Sequence, residues 1–282
     1  MRIGIIGAGV MGRGVAQVFA QSGMYDVTLI DLQDQILIDA QNDIRNNLRF
    51  SALFNKSDLD IDIDSILNRI HFTDCYENLS SVDIVIENAT EDEKIKEEIY
   101  AKLESICKKD CIFVVNTSCI PITRIASNTT RADLVIGVHF MNPVPLKRTV
   151  EVIKGFYTSD STLKVIDELM KSVGKEIIVV NDYPGFVSNR ISHLFMNEAA
   201  FVVQDGVAEA KDVDNIFKKC YGHSMGPLET ADLIGLDTVV NSLKVLYDNY
   251  QDPKFRCCPL LAKMVQAGLL GRKSGRGFYV YN

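Results

Sequence analysis

Six residues near the start narrow the choice of fold more than any other feature. Gly7-Ala8-Gly9-Val10-Met11-Gly12 is a G-x-G-x-x-G turn. It follows a short apolar run, residues 2–6, and opens into helical composition from Val10 to Gln21. A second β-branched run over residues 25–31 comes next and closes on an acid, Asp31, which completes one strand–helix–strand unit. Residues 83–87, 111–116, 134–139 and 176–180 repeat the buried-strand composition, with helical or polar stretches between them. Strands alternating with helices form a parallel sheet covered on both faces. The expected fold class is therefore α/β, a Rossmann-type and mainly parallel sheet domain followed by an all-α C-terminal domain. Asp182-Tyr183-Pro184-Gly185 interrupts the pattern and β-like runs largely stop there, so the expected domains are residues 1–183 and 184–282.

The glycines have a chemical consequence. They permit a tight turn and let a pyrophosphate approach the N–H groups at a helix start. Asp31 stands nineteen residues after Gly12, where a carboxylate accepts hydrogen bonds from the ribose hydroxyls of an adenosine. A glycine turn with an unrelated strand-end acid is the plainer alternative, and the full βαβ context argues against it. Asp31 repels a 2′-phosphate, and the following Leu32 and Gln33 offer it no cation, so the expected cofactor is NAD rather than NADP. Arg13, directly after the turn, either assists the phosphates or points to solvent. Further on, Ile95, Ile99, Leu103 and Ile106 recur at helical spacing, and Thr90 with Glu93 predicts a capping box at the start of that helix.

Composition removes several function classes. At 282 residues, 47% apolar and 24% charged, the chain predicts two folded domains and no low-complexity tract. Its net charge of −7 has the wrong sign for coating nucleic acid or anionic lipid, so neither is an expected partner. No apolar run approaches the roughly 20 residues of a membrane span, and the first residues do not read as an export signal. Seven cysteines without a C-x-x-C pair predict no disulfide framework and no metal site, which fits a soluble chain in a reducing cytoplasm.

Four polar residues carry the candidate chemistry. His139 ends a strand at the edge where open α/β sheets place ligands. Glu151, twelve residues on, lies in the alternating run Val150-Glu151-Val152-Ile153; a carboxylate there is costly to bury without a partner. If the two strands pair, Glu151 holds the His139 ring, sets its tautomer and stabilises its protonated form. Ser118 also follows a strand, and Asn189 begins the helix after Pro184-Gly185, so all four are candidates for one cleft. His71, His193 and His223 have no supporting pattern, and Cys119 reads as a small residue filling a turn rather than as a nucleophile.

The motifs together resemble the L-3-hydroxyacyl-CoA dehydrogenases, of the short bacterial 3-hydroxybutyryl-CoA dehydrogenase type. They are residues 7–17, Asn116-Thr117-Ser118, Gly137-Val138-His139-Phe140-Met141-Asn142-Pro143, Val150-Glu151-Val152-Ile153, Pro184-Gly185-Phe186-Val187-Ser188-Asn189-Arg190, Met225-Gly226-Pro227-Leu228, Gly235-Leu236-Asp237 and Gly271-Arg272-Lys273-Ser274-Gly275. The resemblance covers essentially the whole chain. It implies a helical domain that makes a homodimer, His139 as catalytic acid or base, and Glu151 as its orienting carboxylate. It further implies Ser118 and Asn189 at the reacting hydroxyl and thioester end, and Asn142 among the substrate contacts. NAD would meet Gly7, Gly9, Val10, Met11, Gly12, Asp31, Glu91, Lys96 and Asn116. The implied reaction moves the 3-hydroxyl proton to or from His139 while a hydride passes between C3 and the nicotinamide.

Two departures from the family concern the substrate. Lys147-Arg148-Thr149 replaces a less charged segment, and residues 48–56, lysine-rich in many relatives where CoA phosphates bind, keep only Arg49 and Lys56. An acyl-CoA thioester is the expected substrate. The alternative is a polar, glyceryl-type 3-hydroxyacyl group on an acyl carrier protein, an acidic partner that Lys147-Arg148 would suit. A third reading is an NAD-binding protein without catalysis, against which His139 and Glu151 both argue.

Overall fold

The computed structural model describes residues 1–54 and 62–281. The chain divides into two compact units, Met1–Asp182 and Tyr183–Asn282. The first is an α/β unit built on eight strands: β1 (Arg2–Ile6), β2 (Asp26–Ile30), β3 (Ile70–Thr73), β4 (Ile84–Glu87), β5 (Ile112–Val115), β6 (Val135–His139), β7 (Thr149–Lys154) and β8 (Glu176–Asn181). They form one sheet in the order β3-β2-β1-β4-β5-β6-β7-β8. Every neighbouring pair is parallel except β6 with β7, which run antiparallel. β4, β5 and β6 are buried along their whole length, as their near-continuous Val and Ile content requires of strands covered on both faces. Strand order reverses between β1 and β4, and such a switch point opens a crevice beyond the strands' carboxyl ends.

Helices α1 (Val10–Gln21), α2 (Asp34–Phe54), α3 (Ile63–Leu67), α4 (Glu93–Ile106), α5 (Ile122–Ser127) and α6 (Asp160–Ser172) cover this sheet. Two local expectations are corrected. Asp92, not a Thr90–Glu93 box, caps α4: its carboxylate accepts from the Lys94 and Ile95 amides at 2.9 and 3.1 Å. The face α4 buries is Lys96, Tyr100 and Leu103, while Ile95 is 42% exposed. β3 is a further strand that no sequence signal marked. It is an edge strand whose His71 stays exposed, so it needs neither an apolar run nor strict alternation.

The second unit is all helical: α7 (Ser188–Gln204), α8 (Ala210–Cys220), α9 (Pro227–Ile234), α10 (Leu236–Tyr250) and α11 (Pro259–Gln266). Met196, Leu228, Leu236, Leu243 and Leu261 pack into its core. Two buried acids organise the rest. Asp214 accepts from the Leu228 and Glu229 amides at 2.8 and 2.9 Å, satisfying the start of α9. Asp232 accepts from the amides of Phe278 and Tyr279, both at 3.0 Å, and from the Tyr281 hydroxyl at 2.9 Å, which latches the terminal segment. Burial, with the Asp232 contact, pushes Tyr281 up to about 12. A Cβ at Gly277 would collide with the Asp232 carboxylate, so only glycine fits there.

Among the described residues no helix is long and apolar enough to cross a membrane. Nor, among them, does any group of three or more His, Cys, Asp or Glu side chains stand ready to hold a metal ion.

Candidate active site

The glycine turn lies where β1 gives way to α1, at the switch point. Gly7 has φ +85°, and a Cβ there would strike the Asn88 carbonyl. A Cβ on Gly12 would overlap the Gly7 carbonyl, so both glycines are dictated by close backbone packing. Gly9 differs: a Cβ there would meet nothing within 4 Å. It is the N-cap of α1, no side chain caps that end, and the first turn carries no acid. Uncapped amides facing open space suit a pyrophosphate, so these residues fit a dinucleotide. Asp31 accepts from the Ala8 amide at 2.9 Å and from the Gln33 amide at 3.3 Å, which ties the strand-end carboxylate to the turn.

A cleft of about 560 Å³ runs from Gly7, Gly9 and Asp31 to Ile95, Ile99 and Lys102. The isoleucines missing from the core of α4 thus line it. Val10 is half exposed beside the turn, and Met11 packs against the core. Lys102 also lines the cleft, a cation that the local sequence around Asp31 does not mark. It comes from α4, and its Nζ sits 3.9 Å from the ring centroid of Tyr76, another lining residue. Burial, then the Glu87 and Asp31 carboxylates, push the Tyr76 phenol up. Arg13 pairs with Asp43 of α2 rather than reaching toward the turn.

Beyond β4 and β5 a second layer of polar contacts follows. One oxygen of Glu91 accepts from the Thr117 hydroxyl at 2.6 Å and from the Ser118 and Cys119 amides, each at 2.9 Å, so it holds the turn that carries Ser118. Asn116 donates to Asn88 Oδ1 at 2.7 Å and accepts from the Phe140 amide at 3.3 Å. Lys96 is wholly buried, and its Nζ lies 2.7 and 2.8 Å from the two oxygens of Glu87 and 3.4 Å from the Asn116 carbonyl. It bears on the cleft through those groups rather than as a surface charge. Sequence reasoning missed Glu87; its signal was an acid ending a buried strand at the sheet's ligand edge. Burial pushes the Glu87 carboxyl up, with the Lys96 ammonium opposing.

His139 and Glu151 occupy one rung of the β6–β7 ladder. Both are buried, and His139 Nδ1 lies 3.2 Å from Glu151 Oε2. A carboxylate can only accept, so Nδ1 carries the proton and Nε2 is left as the nitrogen for proton exchange. The antiparallel step brings this about: chain reversal over residues 140–148 returns Glu151 to the level of His139. Asn142 is exposed on that segment.

Asn189 belongs to the second unit, as the second residue of α7. His193, which had no sequence pattern behind it, donates from Nδ1 to the Asn189 carbonyl at 2.9 Å and is buried. Lys56, one of the two cations noted in residues 48–56, lies outside the described residues; Arg49 is exposed near the end of α2.

The comparisons with known proteins fall on the same architecture. The model of the 3-hydroxyacyl-CoA dehydrogenase NAD binding domain matches residues 2–183, and that of the family's C-terminal domain matches residues 185–281. The chain is 42% identical over 283 residues to the 3-hydroxybutyryl-CoA dehydrogenase of Clostridioides difficile, covering 100% of both. It is 41% identical over 280 residues to the protein of that name from Bradyrhizobium diazoefficiens, covering 99% of this chain and 95% of the relative. The crystal structure of (S)-3-hydroxybutyryl-CoA dehydrogenase from Ralstonia eutropha superposes with a TM-score of 0.92 at 41% identity, covering 100% of this chain and 99% of that one. With both units matched almost end to end, the chain belongs to the 3-hydroxyacyl-CoA dehydrogenase family.

Proposed function

We propose that the chain interconverts a 3-hydroxyacyl thioester and its 3-oxoacyl form with NAD, and that its substrate is a short acyl-CoA of the 3-hydroxybutyryl type. The observation that carries this reading is the buried His139–Glu151 contact at 3.2 Å on the antiparallel rung. NAD, when bound, supplies the hydride acceptor or donor. His139 exchanges the hydroxyl proton through Nε2, and Glu151 keeps the ring in the tautomer that makes Nε2 available while offsetting the charge of the protonated ring. Ser118, held by the Glu91-braced turn, positions the reacting oxygen, with Asn189 and Asn142 completing the substrate contacts. Gly7, Gly9, Val10, Met11, Gly12 and Asp31 hold the dinucleotide, with Glu91 and Asn116 toward its nicotinamide end and Lys96 behind them.

The test follows NADH absorbance with acetoacetyl-CoA. We expect turnover of the CoA thioester, a loss of about 10²–10⁴-fold in kcat in His139→Ala, and NADH binding left intact. Unchanged turnover in that variant would remove His139 from the chemistry. The second reading, a carrier-protein thioester, draws support from the exposed Lys147 and Arg148. Turnover confined to carrier-bound acyl groups would select it.

The same proposal includes a cytoplasmic homodimer made through the second unit. Ile191, Val207 and Tyr221 there are 64–75% exposed, apolar surface that a partner subunit would cover. Light scattering is expected to give twice the chain's 31.5 kDa; a monomer at micromolar concentration would exclude it.

A further inference from the structure

Residues 140–148 join the strand carrying His139 to the strand carrying Glu151, and they also wall a crevice of about 360 Å³ in the first unit. Lys147, Arg148 and Lys175 line this crevice together with Gln21, Ser22 and Ser172, and no Asp or Glu lines it. Lys175 is only 5% exposed. Its ammonium donates to the carbonyl oxygens of Val144 and Lys147, both at 2.8 Å. Among the described residues none of the three cations has a carboxylate within ion-pair distance.

Carbonyl dipoles satisfy two of the three ammonium protons but cancel none of the charge. A buried cation without a counter-charge is costly, and burial accordingly pulls Lys175 below the usual lysine range. Two more cations beside it, Lys147 and Arg148, raise that cost further unless an anion enters. A guanidinium fork such as that of Arg148 matches two oxygens of a phosphoryl group, and the volume exceeds what a bare monatomic ion needs.

We propose that this crevice is a binding site for a small phosphorylated anion, gripped by Lys147 and Arg148 and neutralising the buried ammonium of Lys175. The same phosphate chemistry comes from a free phosphorylated metabolite or from the nucleotide end of a CoA thioester. Occupancy would brace residues 140–148, whose ends carry His139 and Glu151. The proposal does not depend on the assigned reaction, because binding is read without turnover.

The test is calorimetric titration of the whole chain with inorganic phosphate, and separately with 3′,5′-ADP, at ionic strength held constant with sodium chloride. Saturable phosphate binding is expected, weakened at least about ten-fold in Lys147→Ala/Arg148→Ala, a loss of about 1.4 kcal/mol or more. NAD binding and circular dichroism should match the parent, and Arg148→Gln serves as the milder variant if the double one misfolds. 3′,5′-ADP binding more tightly than phosphate through the same pair assigns the site to CoA; equal or weaker binding assigns it to a free metabolite. Phosphate that binds no better than chloride, or equally well in both variants, overturns the proposal. So does an acyl carrier protein that binds through the pair while phosphate has no effect.

Discussion

Two lysines are buried in the sheet unit, and their surroundings differ in one respect. Lys96 faces both oxygens of Glu87 at 2.7 and 2.8 Å, and the pair is closed to solvent, behind the residues that line the cofactor cleft. Lys175 meets only carbonyl oxygens, those of Val144 and Lys147 in the segment that follows His139. Each has its hydrogen bonds; only Lys96 has its charge matched. A matched pair fixes a wall in place, whereas an unmatched ammonium at the rim of a crevice invites a ligand to supply the missing charge.

That difference is open to measurement. Lys96→Met strands a buried carboxylate and should cost about 3–5 kcal/mol by urea unfolding. Lys175→Met frees two carbonyls but also removes an unpaired charge, and should cost about 1–2 kcal/mol. Equal costs for the two substitutions would erase the distinction.

The pH dependence of stability sharpens it further. Burial depresses Lys175, so the folded chain releases that proton more readily than the unfolded one. The native-state cost is therefore full below the folded pKa and is relieved as pH rises toward the ordinary lysine value of about 10.4. Parent stability relative to Lys175→Met should climb with pH in that window, by no more than about 1.4 kcal/mol per pH unit. Phosphate, by countering the charge, should flatten the slope. A slope unaffected by phosphate would detach the crevice from the charge of Lys175.

Patterns confined to one stretch of chain were legible: the glycine turn, Asp31 at the strand end, the strands of the sheet's middle, and the separation between His139 and Glu151. What escaped depended on the placement of distant elements. Ile95 and Ile99 read as core, but α4 is rotated so that Lys96 and Tyr100 face inward and the isoleucines line the cleft. Lys102 reaches the same cleft from α4, 26 positions after Tyr76, and neither Glu87 nor Lys175 has a spacing that announces it. β3 was invisible because an edge strand is under weak compositional pressure.

The strand reversal between β6 and β7 has a consequence for how such a protein can drift. Because the imidazole and its acid face each other across backbone pairing, their alignment is inherited from the sheet and not from the connecting bend. The exposed residues of that bend, such as Lys147 and Arg148, are therefore open to change in charge and shape, so new molecular preferences can be tried there while the proton-handling couple keeps its alignment; Phe140 and Val144, buried in the core, are not.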